Sequence, residues 1–185
     1  MPQIRHATTI LGLVHDGRAA LGGDGQVTFD DTIMKHGSVK IRRLLEGQVL
    51  AGFAGAAADA FTLFERFEEK LETHKGNLQR AVVELAKDWR QDRFLRRLNA
   101  LLAAVDTQRA FVVSGNGDII EPDDGIVAIG SGGPYALAAA RAFRQADPGL
   151  GPAAVVERAL RIAAGICVYT NDRISILELP EGGDS

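Results

Sequence analysis

The chain has 185 residues, enough for one well-buried domain and too few for two of typical size. Hydrophobic residues at 46% and charged residues at 24% are ordinary globular values, and a formal net charge of −3 with a pI near 5.8 gives no general attraction to nucleic acid. No run of about 18 apolar residues offers a membrane span, and residues 1–7 lack the apolar centre of a secretory signal, so a cytoplasmic location is the default expectation.

That short leader is either a frayed terminus or a segment to be removed. After it, residues 9–14 read as a strand, His15-Asp16-Gly17 as a tight turn and residues 18–22 as the returning strand. Gly22-Gly23-Asp24-Gly25 breaks the pattern, and a polar stretch runs to Lys40. Lys40, Arg42 and Arg43 form a local basic run, in which the two arginines are expected to be solvated. Residues 49–53 form a further strand, closed by Gly55.

From Ala57 to about His74 the period changes. Ala60, Phe61, Phe64, Phe67 and Leu71 recur at three- and four-residue spacing, which predicts an amphipathic helix. Gly76-Asn77 stops it, and a second helix is expected from Leu78 to about Arg97, its apolar set including Val82, Leu85, Ala86, Trp89 and Phe94. Residues 100–105, 110–114 and 126–129 read as strands, with the turn-rich Gly115-Asn116-Gly117-Asp118 between the last two. A helix over 135–146, a Pro- and Gly-rich break at 148–152, a helix from Ala153 to about Tyr169 and a strand over 174–179 complete the order, before a Gly-rich tail at 181–185.

Strands, two helices, strands, two helices and a final strand do not alternate as a parallel doubly wound sheet requires. Two antiparallel sheets packed face to face, with a helical layer on each outer side, would bury every apolar face. The fold class expected is therefore α+β, as a four-layer αββα sandwich formed by residues 8–185.

Several residues could carry chemistry. Thr8 and Thr9 head the first strand, where threonine is common because it is β-branched. If the chain were cut after Ala7, Thr8 would also hold a free α-amino group, of pKa near 8, beside its own hydroxyl. One residue would then carry both nucleophile and base. Asp24 is a natural turn former and Lys40 an ordinary surface lysine. Brought near Thr8, an ammonium would favour proton loss there, and an aspartate would hold that ammonium in place. Gly52, inside a strand, signals a bulge or a close backbone approach, or an N–H facing a developing oxyanion.

Gly130-Ser131-Gly132-Gly133 lies between a strand and a helix, as phosphate-cradling turns do. It comes late in the chain, however, and no acidic strand end follows at the required distance. A structural turn, or a serine presented at a site, is the more economical reading. The single cysteine, Cys167, leaves no internal disulfide and no cysteine cage for zinc, and its apolar neighbours point to a small buried hydrophobe.

The ordered motifs add a resemblance. Thr8-Thr9-Ile10, Gly22-Gly23-Asp24-Gly25-Gln26-Val27, Met34-Lys35 with Lys40 and Arg42-Arg43-Leu44, and Leu50-Ala51-Gly52-Phe53-Ala54-Gly55 leading into Ala58-Asp59-Ala60-Phe61-Thr62-Leu63-Phe64 are one set. Glu84-Leu85-Ala86-Lys87-Asp88-Trp89-Arg90, Ala128-Ile129-Gly130-Ser131-Gly132-Gly133 and Ile166-Cys167-Val168-Tyr169-Thr170-Asn171 are the rest. In this order they resemble the HslV (ClpQ) family of bacterial proteasome-related protease subunits, which are N-terminal-nucleophile hydrolases, over residues 8 to about 179.

The resemblance implies the αββα sandwich and a threonine endopeptidase. Thr8 would be the nucleophile released by cleavage of the Ala7–Thr8 bond, with Lys40 and Asp24 as catalytic lysine and supporting aspartate. Ser131 would help orient the N-terminal group, and the Gly52 N–H would face the oxyanion. The resemblance also implies a sodium ion held by main-chain oxygens of Ala164, Cys167 and Thr170, where Ala164 stands in place of an expected glycine. It implies a dodecamer of two stacked hexameric rings, a hexameric ATPase partner (HslU, or ClpY) that binds the nucleotide in place of this chain, and unfolded proteins as substrates. The alternative is a non-catalytic ring subunit of the same fold.

Overall fold

A computed structural model of the chain describes residues 8–55, 57–93, 95 and 100–180. The leader at 1–7, Phe94 of the expected helical set and the tail at 181–185 lie outside the described residues. The strands are β1 (Thr9–His15), β2 (Arg18–Gly23), β3 (Val27–Phe29), β4 (Thr32–Lys35), β5 (Ile41–Leu44), β6 (Val49–Ala54), β7 (Leu101–Val105), β8 (Ala110–Ser114), β9 (Ile119–Ile120), β10 (Ile126–Gly130) and β11 (Ser175–Leu179). The helices are α1 (Ala57–Thr73), α2 (Leu78–Gln91), α3 (Gly133–Ala146) and α4 (Pro152–Ala164).

One sheet has the order β10-β1-β2-β11 and the other β5-β6-β7-β8-β9, with β3 and β4 as a separate hairpin. Every pairing is antiparallel. The period-two alternation of the strands sorts their side chains into different layers. On β1, Ile10 packs between the sheets while Leu11 and Leu13 face outward to α3 and α4. On β6 and β7, Leu50, Ala103 and Val105 point inward, and Ala51, Leu102 and Ala104 join the layer under α1 and α2. Three apolar layers between four layers of structure give the αββα sandwich expected from the sequence.

The α1–α2 layer is the more aromatic. Phe67 and Trp89 are fully buried there, and burial of a side chain of this size contributes about 1.5–3 kcal/mol. The polar edge of Trp89 is satisfied as well, because its Nε1–H donates to the Leu95 carbonyl at 2.9 Å. That contact belongs to the turn ending α2. Asp92, in extended conformation, caps the helix, and its carboxylate accepts from the Leu95 N–H. The helix therefore stops at Gln91, earlier than the apolar pattern predicts.

Helix α4 also ends early, at Ala164 instead of near Tyr169. Gly165 donates to the carbonyls of Arg161 and Ile162, tightening the last turn, and the chain then leaves the helix axis. Ile166 and Val168, which extended the apparent helical period, are exposed, whereas Cys167 is buried as expected. The polar stretch after Gly25 carries strands β3 and β4, which the sequence reading assigned to no element, as it did β5 and β9.

Candidate active site

Antiparallel pairing of β1 with β2 places Ile10 opposite Gly23, so the next residue of β2's strand, Asp24, arrives beside Thr9. The Asp24 N–H donates to the Thr9 carbonyl at 3.1 Å, and the Thr9 N–H donates to Asp24 Oδ1 at 2.8 Å. The same Oδ1 accepts from Lys40 Nζ at 2.8 Å, while Oδ2 accepts from the Gln26 N–H at 2.9 Å and the Asn171 N–H at 3.4 Å. Lys40 Nζ also donates to the Gln26 carbonyl at 2.6 Å. This pair is shielded from solvent, the Asp24 side chain being 0% and the Lys40 side chain 9% exposed.

Burial lowers the Lys40 pKa below its ordinary 10.5, and attraction and hydrogen bonding to the Asp24 carboxylate recover part of that loss. The lysine therefore binds its proton less tightly folded than unfolded. Between the lowered value and 10.5 the unfolded chain holds more protons, so stability rises with pH across that window; below it the cost of burying the ammonium is fully present. If the ammonium serves the reaction, the alkaline limb of a kcat–pH profile should fall below pH 10.5. A limb at or above 10.5 would remove Lys40 from that role.

Thr8 is buried immediately before β1. Its carbonyl accepts from the Ser131 N–H at 2.8 Å. The approach is possible because residue 130 is glycine, with φ +88°, and a Cβ there would collide with the Thr8 carbonyl oxygen. The next N–H of the same turn, on Gly132, donates to Thr9 Oγ1 at 2.9 Å. The Gly130 to Gly133 turn thus grips the chain's own β1 with two successive N–H groups, which accounts for its glycines without a nucleotide.

Thr8 and Lys40 share a cleft of about 220 Å³ with Phe53, Gly55, Phe61 and Phe64. Arg42 lies along its wall with the guanidinium carbon 4.6 Å from the Phe61 ring centre and 5.1 Å from that of Phe64. Arg43 reaches across to the Glu178 carbonyl at 3.0 Å. Arg42 is exposed, as expected, while it covers the two rings; Arg43 is half-buried on the Glu178 carbonyl, which corrects the expectation of a solvated side chain there.

The structure thus gathers Thr8, Asp24, Lys40 and Ser131, which stand far apart in sequence, and places Gly52 elsewhere. The Phe53 N–H points toward β5, donating to the Lys40 carbonyl at 3.4 Å. Alternation in an antiparallel ladder turns the Gly52 N–H the other way, toward β7, where it registers with Ala103. Glycine is needed at 52 for packing, since a Cβ would sit 2.8 Å from Ile10 Cδ1. The glycine lining the cleft is Gly55.

Gln26 and Asn171, both within the motif segments, hold the loops around the site. Gln26 Nε2 donates to Thr28 Oγ1 and the Val168 carbonyl, tying the loop beneath Lys40 to the segment after α4. Asn171 Oδ1 accepts from the Gly25 N–H and its Nδ2 donates to the His36 carbonyl, pinning both shoulders of the β3–β4 hairpin. In the sequence the only signal is a side-chain amide within a motif segment, and spacing does not reveal its partners.

Ala164 is the last residue of α4, and Cys167 and Thr170 follow in the segment after it. There the Thr170 N–H donates to the Cys167 carbonyl at 3.1 Å. Carbonyl oxygens at the negative end of a helix suit a hard cation, and alanine offers the same oxygen as glycine.

A model of the proteasome subunit family matches residues 4–179. The chain belongs to that family. It is 60% identical over 176 residues to a Geobacillus protein named ATP-dependent protease subunit HslV, covering 94% of this chain and 98% of the relative. A Brevibacillus brevis protein of the same name is 58% identical over 175 residues, covering 94% and 97%. Among solved structures, eukaryotic HslV from Trypanosoma brucei superposes with a TM-score of 0.86 at 42% identity, covering 92% of this chain and 98% of that one. A Thiobacillus denitrificans protein titled BPH shares the fold, with a TM-score of 0.68 at 20% identity. The resemblance to HslV drawn from the motifs therefore extends through the fold, and the chain is a peptidase of the proteasome family.

Proposed function

We propose that this proteasome-family chain is the proteolytic subunit of a two-component, ATP-dependent protease, and that it acts as a threonine endopeptidase with Thr8 as nucleophile. The observation that carries the reading is the placement of Thr8 at the mouth of a cleft beside the buried Asp24–Lys40 ion pair. Once the Ala7–Thr8 bond is cut, the α-amino group of Thr8 accepts the Thr8 Oγ proton as that oxygen bonds to the scissile carbonyl carbon. The amine returns the proton to the leaving nitrogen as the C–N bond breaks, leaving an acyl-enzyme. Water, deprotonated by the same amine, then releases the acyl group. Lys40 supplies positive charge near Thr8, held by Asp24, and Ser131 holds the Thr8 main chain. For the oxyanion we assign the N–H of Gly55 in place of that of Gly52, because Gly55 lines the cleft beside Thr8 and Gly52 does not.

The natural substrates in this reading are unfolded proteins. A hexameric ATPase of the HslU (ClpY) kind delivers them to a chamber enclosed by two stacked hexameric rings of this chain, in the cytoplasm. Sodium, held by the oxygens of Ala164, Cys167 and Thr170, would supply a fixed positive charge at the end of α4. A non-catalytic ring subunit remains the competing reading, and no observation favours it. Intact-mass measurement of the purified, assembled protein separates the two. We expect the mass of residues 1–7 to be missing and peptide hydrolysis to accompany its loss. A uniform population beginning at Met1 in an otherwise assembled particle would sink the proposal.

A further inference from the structure

We propose that the hydroxyl pair Thr9–Thr170 is a positioning device for the reaction at Thr8, an inference that rests on the peptidase reading above. Thr9 Oγ1 and Thr170 Oγ1 lie 2.6 Å apart, although 161 residues separate them in sequence. Thr9 is 0% and Thr170 5% exposed, so neither hydroxyl has water as an alternative partner. Thr9 Oγ1 already accepts from the Gly132 N–H at 2.9 Å, and the neighbouring Ser131 N–H holds the Thr8 carbonyl at 2.8 Å. The Thr9 N–H and carbonyl are both bound to Asp24. Every polar group of the residue after the nucleophile is therefore engaged, and Thr170 closes the set from the opposite end of the chain.

The fit leaves no slack. A Cβ on Gly132 would collide with Thr9 Oγ1 and lie 2.7 Å from Thr170 Oγ1. Packing alone does not call for two hydroxyls here, since valine has the same branched shape. What the hydroxyls add is a directional bond that fixes the rotation of Thr9 and, through the peptide joining them, the line along which Thr8 presents its oxygen. Misplacement of a reacting group by a fraction of an ångström lowers turnover without changing how tightly substrate binds.

The test uses the mature, assembled protein and a fluorogenic peptide. Thr170→Val should lower kcat about tenfold with KM within about twofold of wild type, and Thr170→Ser should restore turnover. Thr9→Val should lower kcat at least as far, because it also strips the acceptor from the Gly132 N–H, and adding Thr170→Val to it should cost nothing more. If Thr170→Val does not assemble, Thr170→Ala serves in its place with the same expectation. A valine variant with wild-type kcat, a serine variant as slow as the valine one, or multiplicative losses in the double variant would each overturn the inference. A wild-type particle without peptidase activity would instead overturn the reading of Thr8 on which it rests.

Discussion

Thr8→Ala protein should hydrolyse a fluorogenic peptide at least about 10⁴-fold more slowly than wild type and should retain residues 1–7 in its intact mass, while still assembling. The argument is chemical economy. In the proposed mechanism the Thr8 hydroxyl attacks both the substrate and the Ala7–Thr8 bond, so one substitution removes both reactions. Loss of a sole nucleophile leaves only the contribution of binding and oxyanion stabilisation, orders of magnitude below full turnover. The main chain of Thr8 is held by its carbonyl, which alanine keeps, and its strand is flanked on both sides by β2 and β10. Folding is therefore spared. Wild-type turnover by the alanine variant, or normal loss of its leader, would remove Thr8 from the mechanism.

The second large effect is expected from Asp24→Asn. The two oxygens of Asp24 face donors: the N–H groups of Thr9, Gln26 and Asn171, and the Lys40 ammonium. An amide must turn its NH2 toward one pair of them in either orientation, and it leaves the buried ammonium without its counter-charge. Breaking a buried pair by removing one partner costs about 3–5 kcal/mol, which for a chain of this length corresponds to a fall in Tm on the order of 10 °C. Peptide hydrolysis should fall about 100-fold as well, since Thr9 and Lys40 both lose their fixed positions. Calorimetry and peptidase assays on the same preparation check both halves. A Tm within about 2 °C of wild type would show that Asp24 is not holding a buried charge.

What could be read from the sequence was whatever a regular period or a turn residue announces. Asp16-Gly17 did mark a hairpin, and both residues have positive φ, 50° and 71°. The apolar stripe of Ala60, Phe61, Phe64, Phe67 and Leu71 gave α1; Phe64, Phe67 and Leu71 are buried together with Ala60 packed against them, whereas Phe61 is exposed at the cleft under Arg42. Strand β5 escaped because Ile41 and Leu44 are its buried residues, a three-residue spacing that mimics a helix. Strand β4 escaped because all four of its residues are exposed and no face alternates. Helices α2 and α4 were overextended because apolar residues continue past the caps, and Asp92 and Gly165 override the period by local hydrogen bonding.

The site was legible in its residue types and not in its assembly. Nothing in the spacing of Thr8, Asp24, Lys40 and Ser131 says that they meet; the register of β1 against β2 and β10 brings Thr8, Asp24 and Ser131 together, and Lys40 joins them from the residue before β5. Gly52 was misplaced for a related reason. In a sequence, glycines three apart look alike, and only the fold distinguishes Gly52, inside β6 and packed on Ile10, from Gly55, just past the strand and at the cleft.

The clasp between the two ends of the chain also bears on when activity can arise during synthesis. Strand β1 sits between β2 and β10, and the groups that lock Thr9 and Asp24 come from residues 131–132 and 170–171. Asn171 is added 147 residues after Asp24. Until then the contacts that enclose Thr9 and Asp24 cannot all form. Long-range closure of this kind slows folding, so the surroundings of Thr8 are among the last parts of the molecule to be completed.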